Sequence, residues 1–174
     1  MRSNSVLVGS LCSLAQLEIS DVSKVYIDWL NDGLVNQYLE VRHSKVTIES
    51  QKRFVESVLN SSNGVLFKII VSEDLFIGTL KLEVNSSEGS LEVGIMIGES
   101  NWNGKGVGTE CLKLVEVFAN LHKISAITAG VMSSNSASRH LFMKSGFEEI
   151  GVLPYLFQAP SLNEHTVRFI KRLN

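Results

Sequence analysis

Residues 92–110 read EVGIMIGESNWNGKGVGTE, and a change of period inside this stretch decides the fold. Up to Ile97 the side chains alternate: Leu91, Val93, Ile95 and Ile97 fall on one face and Glu92, Gly94 and Met96 on the other, as in a strand. Past the loop the period becomes helical, with Val107, Cys111, Leu114, Val115 and Phe118 on one stripe. Between them Gly104, Gly106 and Gly108 alternate within five residues. Glycine reaches positive φ and lets a ligand approach the main chain, and successive N–H groups at a helix start can face a phosphate. Lys105 can add a charge there. The spacing is not that of a nucleotide P-loop: no glycine stands five residues before Gly104, and Gly106 follows Lys105 where a Ser or Thr would hold magnesium. Nor is it the dinucleotide fingerprint, because the preceding strand closes a meander instead of leading a βαβ unit.

Upstream of this stretch, period-two runs at 65–71, 75–84 and 90–97 are separated by the turn-like SED and NSSEG segments, which predicts an antiparallel meander. The first third predicts a short strand and helices. Ser20 or Asp21 can cap a helix carrying Val22, Val25, Tyr26, Trp29 and Leu30, with Gly33 ending it. A short helix is expected over 34–39, and Thr47 can cap another whose stripe is Ile48, Val55, Val58 and Leu59. Downstream, 124–131 reads as a buried strand. Asn135 caps a helix closed by Gly146, and late strands are expected over 147–157 and 164–171. The order is α+β.

Composition bounds the function. The chain has 174 residues, 44% hydrophobic and 20% charged, with two prolines and two cysteines. A chain of this size buries roughly two thirds of its unfolded surface without disulfides or metal, so a single domain over 1–174 is expected. Lys and Arg number 16 against 18 Asp and Glu, a net charge of -2 that gives no broad field for a polyanion; no nucleic-acid partner is expected. No apolar stretch approaches the ~20 residues of a membrane helix, and the N-terminal MRSNSVLVGSLCSLAQLEIS reads as strand and polar connection, not as a targeting signal. Cys12 and Cys111 lie far apart in sequence, and with His43, His122, His140 and His165 they show no zinc-like spacing. The expectation is a cytoplasmic protein with no metal, whose exposed late strands leave room for a homodimer.

The strand EVGIMIG, the loop NWNGKGVGTE and the later NSASRHLFMKSGF together resemble the GNAT superfamily of N-acetyltransferases, in particular its ribosomal-protein N-acetyltransferase-like branch. The resemblance covers about residues 5–172, with its specific part at 92–147. It implies the GNAT fold: an α+β domain with a mixed, mostly antiparallel central sheet, whose central strands at 90–97 and 124–131 run parallel and splay apart between flanking helices. It implies acetyl-CoA as cosubstrate in the gap. The pantetheine would pair with the backbone of Ile95, Met96 and Ile97, and the pyrophosphate would sit against Asn103, Gly104, Lys105, Gly106, Val107 and Gly108, with Thr109 nearby. A bulge in the first splayed strand is expected to free an N–H that polarises the thioester carbonyl. Asn135 matches a position that touches pantetheine, with Ser138 a further candidate; the alternative for both is plain helix capping.

Two positions depart from the family pattern. Asn103 stands where Gln or Arg usually begins the loop, which removes a charge but leaves the glycine backbone intact. Phe142 stands where many relatives carry a Tyr that protonates the departing thiolate, and a phenyl ring cannot donate that proton. His140 is adjacent, but its place on the helix suits packing or surface. Glu92 is the candidate base, since an amine must be neutral to attack and a strand carboxylate can take its proton directly or through water. Its alternative role is a solvated strand residue or a partner of Lys81 across the hairpin.

Acceptor choice is expected in the segments roofing the cleft, namely the first helices and the loop at 154–163. Residues 29–44, WLNDGLVNQYLEVRHS, place Tyr38, Glu40, Arg42 and His43 among apolar anchors and resemble the corresponding segment of acetyltransferases of bacterial surface-polysaccharide pathways, which act on nucleotide-linked amino sugars. Arg42 could pair with a diphosphate, Tyr38 could stack on a sugar or base, and Lys81 adds a rim cation. The reading is an N-acetyltransferase acting on a nucleotide-activated amino sugar. Its alternatives are a protein N-terminal amine or an aminoglycoside-type small molecule as acceptor, and a CoA-binding sensor that has lost its chemistry.

Overall fold

Eight strands form one sheet in the order β1-β2-β3-β4-β5-β6-β8-β7, in a computed structural model that describes residues 6–154 and 165–173. The strands are β1 (Leu7–Val8), β2 (Ser13–Gln16), β3 (Gly64–Val71), β4 (Leu75–Asn85), β5 (Ser90–Ile97), β6 (Ala126–Met132), β7 (Glu148–Pro154) and β8 (His165–Arg172). Neighbours pair antiparallel except β5 and β6, which run parallel. The meander, the mixed sheet and the α+β order are therefore as expected. The expected strand residues 155–157 and 164, the loop beyond Pro154 and the first five residues lie outside the described residues.

Four helices flank the sheet: α1 (Lys24–Asn31), α2 (Ile48–Asn60), α3 (Val107–Leu121) and α4 (Ser136–Lys144). The alternation of β5 decides which face each pair covers. Leu91 and Val93 point into a core shared with Cys111, Val115 and Phe118 of α3, Phe142 of α4 and Phe169 of β8. Met96 points the other way, into a second core with Tyr26, Trp29 and Leu30 of α1 and Val55 and Val58 of α2. Each large apolar side chain so buried contributes roughly 1.5–3 kcal/mol by leaving water.

Local polar chemistry moves three boundaries. Ser23, not Ser20 or Asp21, caps α1 by accepting from the Tyr26 N–H at 3.3 Å. Asp21 is spent one turn earlier, where its carboxylate accepts the Glu18 N–H at 2.8 Å. Asp32 ends α1 in place of Gly33, and its carboxylate accepts from Leu34 N–H (2.8 Å) and Val35 N–H (3.1 Å). Those two bonds cap one helical turn, closed by Asn36 N–H to Asp32 O at 2.9 Å; the turn is not continued, and the segment runs as turns into a short 3-10 turn at Glu40–His43. Thr47 caps α2 as expected, in a capping box with Ser50.

Within β5 the expected bulge is absent: pairing with β4 runs from Asn85↔Ser90 to Gly78↔Ile97 without a register shift. Just past its end the N–H groups of Gly98 (2.8 Å) and Glu99 (3.1 Å) both donate to Ile77 O, as in a bulge, and register shifts fall at Ile69/Ile70 of β3 and Glu149/Gly151 of β7. A bulge is not required to free main-chain groups on β5, because β6 departs from it.

Trp29 locks α1, and with it the segment that follows, onto the end of β5. Its indole lies where a Cβ on Gly98 would be, its Nε1–H donates to Glu99 Oε1 at 3.3 Å, and Phe76 meets it edge-on at 5.2 Å. Gly98→Ala should therefore destabilise the fold by about 1–3 kcal/mol, the usual cost of overpacking. Urea unfolding followed by tryptophan fluorescence checks this; a change under about 0.5 kcal/mol, the range of a neutral surface substitution, contradicts it.

Candidate active site

β5 and β6 pair only at Ser90↔Ala126, Leu91↔Ile127 and Glu92↔Thr128, then continue to Ile97 and Met132 without pairing. The main-chain groups of β5 beyond Glu92 that face β6 thus have no strand partner. A cleft of about 830 Å³ opens there. Ile95, Met96 and Ile97 line one side, Asn135, Ser138 and Leu141 the other, and Val35 and Tyr38 come from the roof. Asn103, Gly104, Gly106, Val107, Gly108 and Thr109 also line it.

The three loop glycines divide the work. Gly104 (φ 73°) and Gly106 (φ 86°) adopt the left-handed conformation that side chains disfavour, and Gly106 is the residue from which α3 starts. No side chain caps this helix; its first bond is Glu110 N–H to Gly106 O at 3.0 Å, so the N–H groups of Val107, Gly108 and Thr109 precede the intrahelical ladder. Gly108 has a steric role instead: a Cβ there would stand 3.0 Å from Leu141 Cδ2, so its absence lets α3 close on α4. Lys105 is the member of the expected cofactor set that does not line the cleft. Its ammonium sits over the Trp102 ring at 4.9 Å, and Trp102 does line the cleft.

On α4, Asn135 both lines the cleft and caps the helix, its Oδ1 accepting the Ser138 N–H at 3.0 Å. Phe142 is buried against Phe147 and Phe169, with ring centroids at 5.0 and 5.8 Å. It serves the core. Ala137, Ser138, His140, Leu141 and Lys144 of α4 line the cleft, and His140 lies exposed on its wall.

Glu92 stands at the last paired register, the vertex of the splay, about half exposed. Three residues of extended chain, roughly 10 Å, separate it from Ile95. Its carboxylate is held by Arg168 in a two-point bond, Nη1–Oε1 3.0 Å and Nη2–Oε2 3.1 Å. Lys81 is not its partner. Lys81 bonds Glu83 on its own strand at 3.0 Å, and Glu83 is the residue directly opposite Glu92 on β4. Of the roof residues, Tyr38 lines the cleft and donates from its hydroxyl to Ser134 O at 3.3 Å. Glu40, Arg42 and His43 are set in the 3-10 turn, where Arg42 Nη1 donates to Leu39 O at 2.9 Å; they do not line the cleft.

Two further features connect the loop to the edge of the sheet, and the sequence alone does not pair their members. Cys12 and Cys111 meet with sulfurs 3.6 Å apart, and the bond Cys111 shares with Cys12, together with burial, pushes the Cys111 thiol up. Glu110, buried in the first turn of α3, accepts from Ser10 N–H (2.7 Å) and Ser10 Oγ–H (3.0 Å). Gly9 leaves room for it, since a Cβ there would touch Glu110 Oε1. The Ser10 bonds, with a smaller pull from Lys113 and against the opposing effect of burial, hold the Glu110 carboxyl below its ordinary value. A value depressed in the folded state adds stability that is complete above the unfolded value, about 4.3, and is lost as pH falls through the folded one. Glu110→Gln should therefore be less stable than the parent at pH 7, with the gap narrowing below about pH 4.3. Urea midpoints at neutral and acid pH check this; a gap unchanged with pH contradicts it.

Comparison with known proteins agrees with this architecture. A spermidine N-acetyltransferase from Vibrio cholerae, solved with CoA and spermine, superposes with a TM-score of 0.82 at 20% identity, over 94% of this chain and 96% of that one. RimL, a ribosomal alpha-N-protein acetyltransferase solved with coenzyme A, superposes with a TM-score of 0.81 at 16% identity, over 97% of this chain and 98% of that one. In sequence, the chain is 27% identical over 167 residues to an N-acetyltransferase 9-like protein of Caenorhabditis elegans, covering 87% of this chain and 82% of the relative. The family model for the acetyltransferase (GNAT) domain matches residues 13–148, most of the sheet together with the loop and α4. The chain belongs to the GNAT acetyltransferase family and is an acyltransferase.

Proposed function

We propose that this chain transfers the acetyl group of acetyl-CoA to a primary amine at the vertex of the β5–β6 splay, and that the acceptor is the amino group of a nucleotide-linked sugar. The observation that carries the transfer reading is the juxtaposition of an uncapped helix start with an unpaired strand edge in one cleft. The N–H groups of Val107, Gly108 and Thr109 and the loop at Gly104 and Gly106 suit a pyrophosphate, which needs donors and no cation beyond the helix end. The free edge of β5 at Ile95–Ile97 suits an amide-bearing chain laid alongside it as an extra strand. Acetyl-CoA supplies an activated thioester, and the protein supplies placement and proton transfer.

Glu92 takes the ammonium proton, directly or through one water, so that the nitrogen presents its lone pair. Orientation of amine against thioester supplies most of the acceleration, without a covalent enzyme intermediate. With Phe142 in the core, position 142 offers the thiolate no hydroxyl, and it takes its proton from water or another cleft group.

The nucleotide-sugar acceptor is supported by Tyr38 in the cleft roof, whose ring suits stacking on a sugar or base. A second reading, a protein N-terminal amine, is favoured by a different observation: Lys81, Glu83 and Glu92 lie on an open sheet face with 42%, 56% and 49% of their side chains exposed, a floor on which a peptide could lie.

Thiol release from acetyl-CoA with UDP-linked amino sugars, short peptides with a free α-amine, and spermidine separates the acceptors. The first set should react fastest, and peptides faster than sugars would transfer the assignment to the second reading. Glu92→Gln should lower kcat by about a hundredfold or more, the scale of general base catalysis. CoA binding with no amine acetylated would leave the sensor reading. Gly106→Val places a branched side chain at φ 86°; it should weaken CoA binding at least about tenfold while the circular dichroism of the fold persists. Unchanged affinity by calorimetry would remove the phosphate-loop assignment.

A further inference from the structure

Arg168 sits on β8 directly opposite Gly130 of β6, yet its guanidinium is bonded to Glu92 on β5, one strand further on. The side chain must cross β6, and Gly130 is where it crosses. A Cβ at position 130 would stand 2.9 Å from Arg168 Nη1 and 3.7 Å from Glu92 Oε1. Gly130 is not among the positive-φ glycines, so its backbone alone does not demand glycine. The missing side chain is explained by the guanidinium passing over it.

The far end of this crossing is the register at which β5 and β6 last pair, Glu92↔Thr128. Glu83 stands directly opposite Glu92 on β4, and like charges facing each other across a ladder repel. Each carboxylate has its own cation: Lys81 for Glu83 and Arg168 for Glu92. The two pairs differ in kind. Lysine is a point charge on a flexible stem, whereas the planar fork of arginine fixes the plane of the carboxylate it meets. The Glu92 side chain remains 49% exposed and Arg168 25%, so the carboxylate is oriented yet open to a reactant. An ion pair this accessible contributes little to folding, which leaves orientation as its main consequence.

We infer that Arg168 is a positioning residue for acetyl transfer: crossing β6 over Gly130, it fixes the carboxylate of Glu92 at the vertex of the splay. The inference rests on the reading of Glu92 as the base. Arg168→Lys keeps the charge and loses the two-point bond. With acetyl-CoA and the fastest of three acceptors (a UDP-linked 4-amino sugar, an Ala-Ala-Ala peptide and spermidine), it should lower kcat about tenfold, the order expected when a reacting group loses its fixed orientation. KM for acetyl-CoA should stay within about twofold, since uniform binding is untouched. Adding Arg168→Lys to Glu92→Gln should cost nothing more, because Arg168 acts through that carboxylate. Arg168→Met, which removes the charge as well, should behave likewise and serves if the lysine variant does not fold. Parental kcat in both Arg168 variants while Glu92→Gln is impaired overturns the positioning role and leaves the base. A further loss in the double variant also overturns it, by assigning Arg168 an action of its own. Parental kcat in Glu92→Gln, or no thiol release with any of the three acceptors, overturns instead the reading on which the inference rests.

Discussion

The parallel pairing of β5 and β6 ends at Glu92 and Thr128, and every main-chain group beyond it on that edge needs a partner other than a strand. Leaving one such group buried and unpaired costs about 1–3 kcal/mol. The gap is therefore a place for water or for a ligand that can act as a strand. The surrounding structure holds it open. Met96 and Leu91 anchor β5 into cores on opposite faces of the sheet, and β6 is tied along its length to β8 from Ala126↔Arg172 to Met132↔Thr166. Neither strand can swing to close the splay without breaking those contacts.

The same constraint explains where the charges sit. The end of the cleft proposed for the pyrophosphate is lined largely by main chain: two glycines with positive φ and the start of α3, with Lys105 turned onto Trp102. A helix start offers roughly 0.3–1 kcal/mol to an anion before its N–H bonds are counted. Side-chain charge is concentrated instead on the open sheet face, in the paired Lys81–Glu83 and Arg168–Glu92 sets. A chain with a net charge of -2 can thus bind a polyanionic cosubstrate without a basic surface.

The meander, the loop and α3 were legible in the sequence because each is a local pattern. Period-two alternation met turn residues, and three closely spaced glycines stood at the entry to an apolar helical stripe. The stripe Val107, Cys111, Leu114, Val115 and Phe118 is buried as its spacing requires. What escaped reading has one of two physical causes. Side-chain bonds to the main chain set boundaries that propensity does not: Asp32 ends α1 and caps a single turn that is not continued, and Ser23 takes the cap of α1 from its neighbours. Contacts distant in sequence have no local signal: Glu92 meets Arg168, Glu110 meets Ser10, and Cys12 meets Cys111 only through the order of the strands. Lys81 lies only diagonal to Glu92 across the hairpin, opposite Gly94, and Glu83 on its own strand holds it.

The most direct test of the account is amide NMR of the isotope-labelled chain during titration with CoA. The N–H resonances of Ile95, Met96, Ile97, Val107, Gly108 and Thr109 should shift together with one saturation curve and gain protection from hydrogen exchange, while β1 and β7 stay unchanged. Saturable shifts confined to other elements, with the β5 edge and the start of α3 unaffected, would contradict the claim that the splay and the uncapped helix form one binding site.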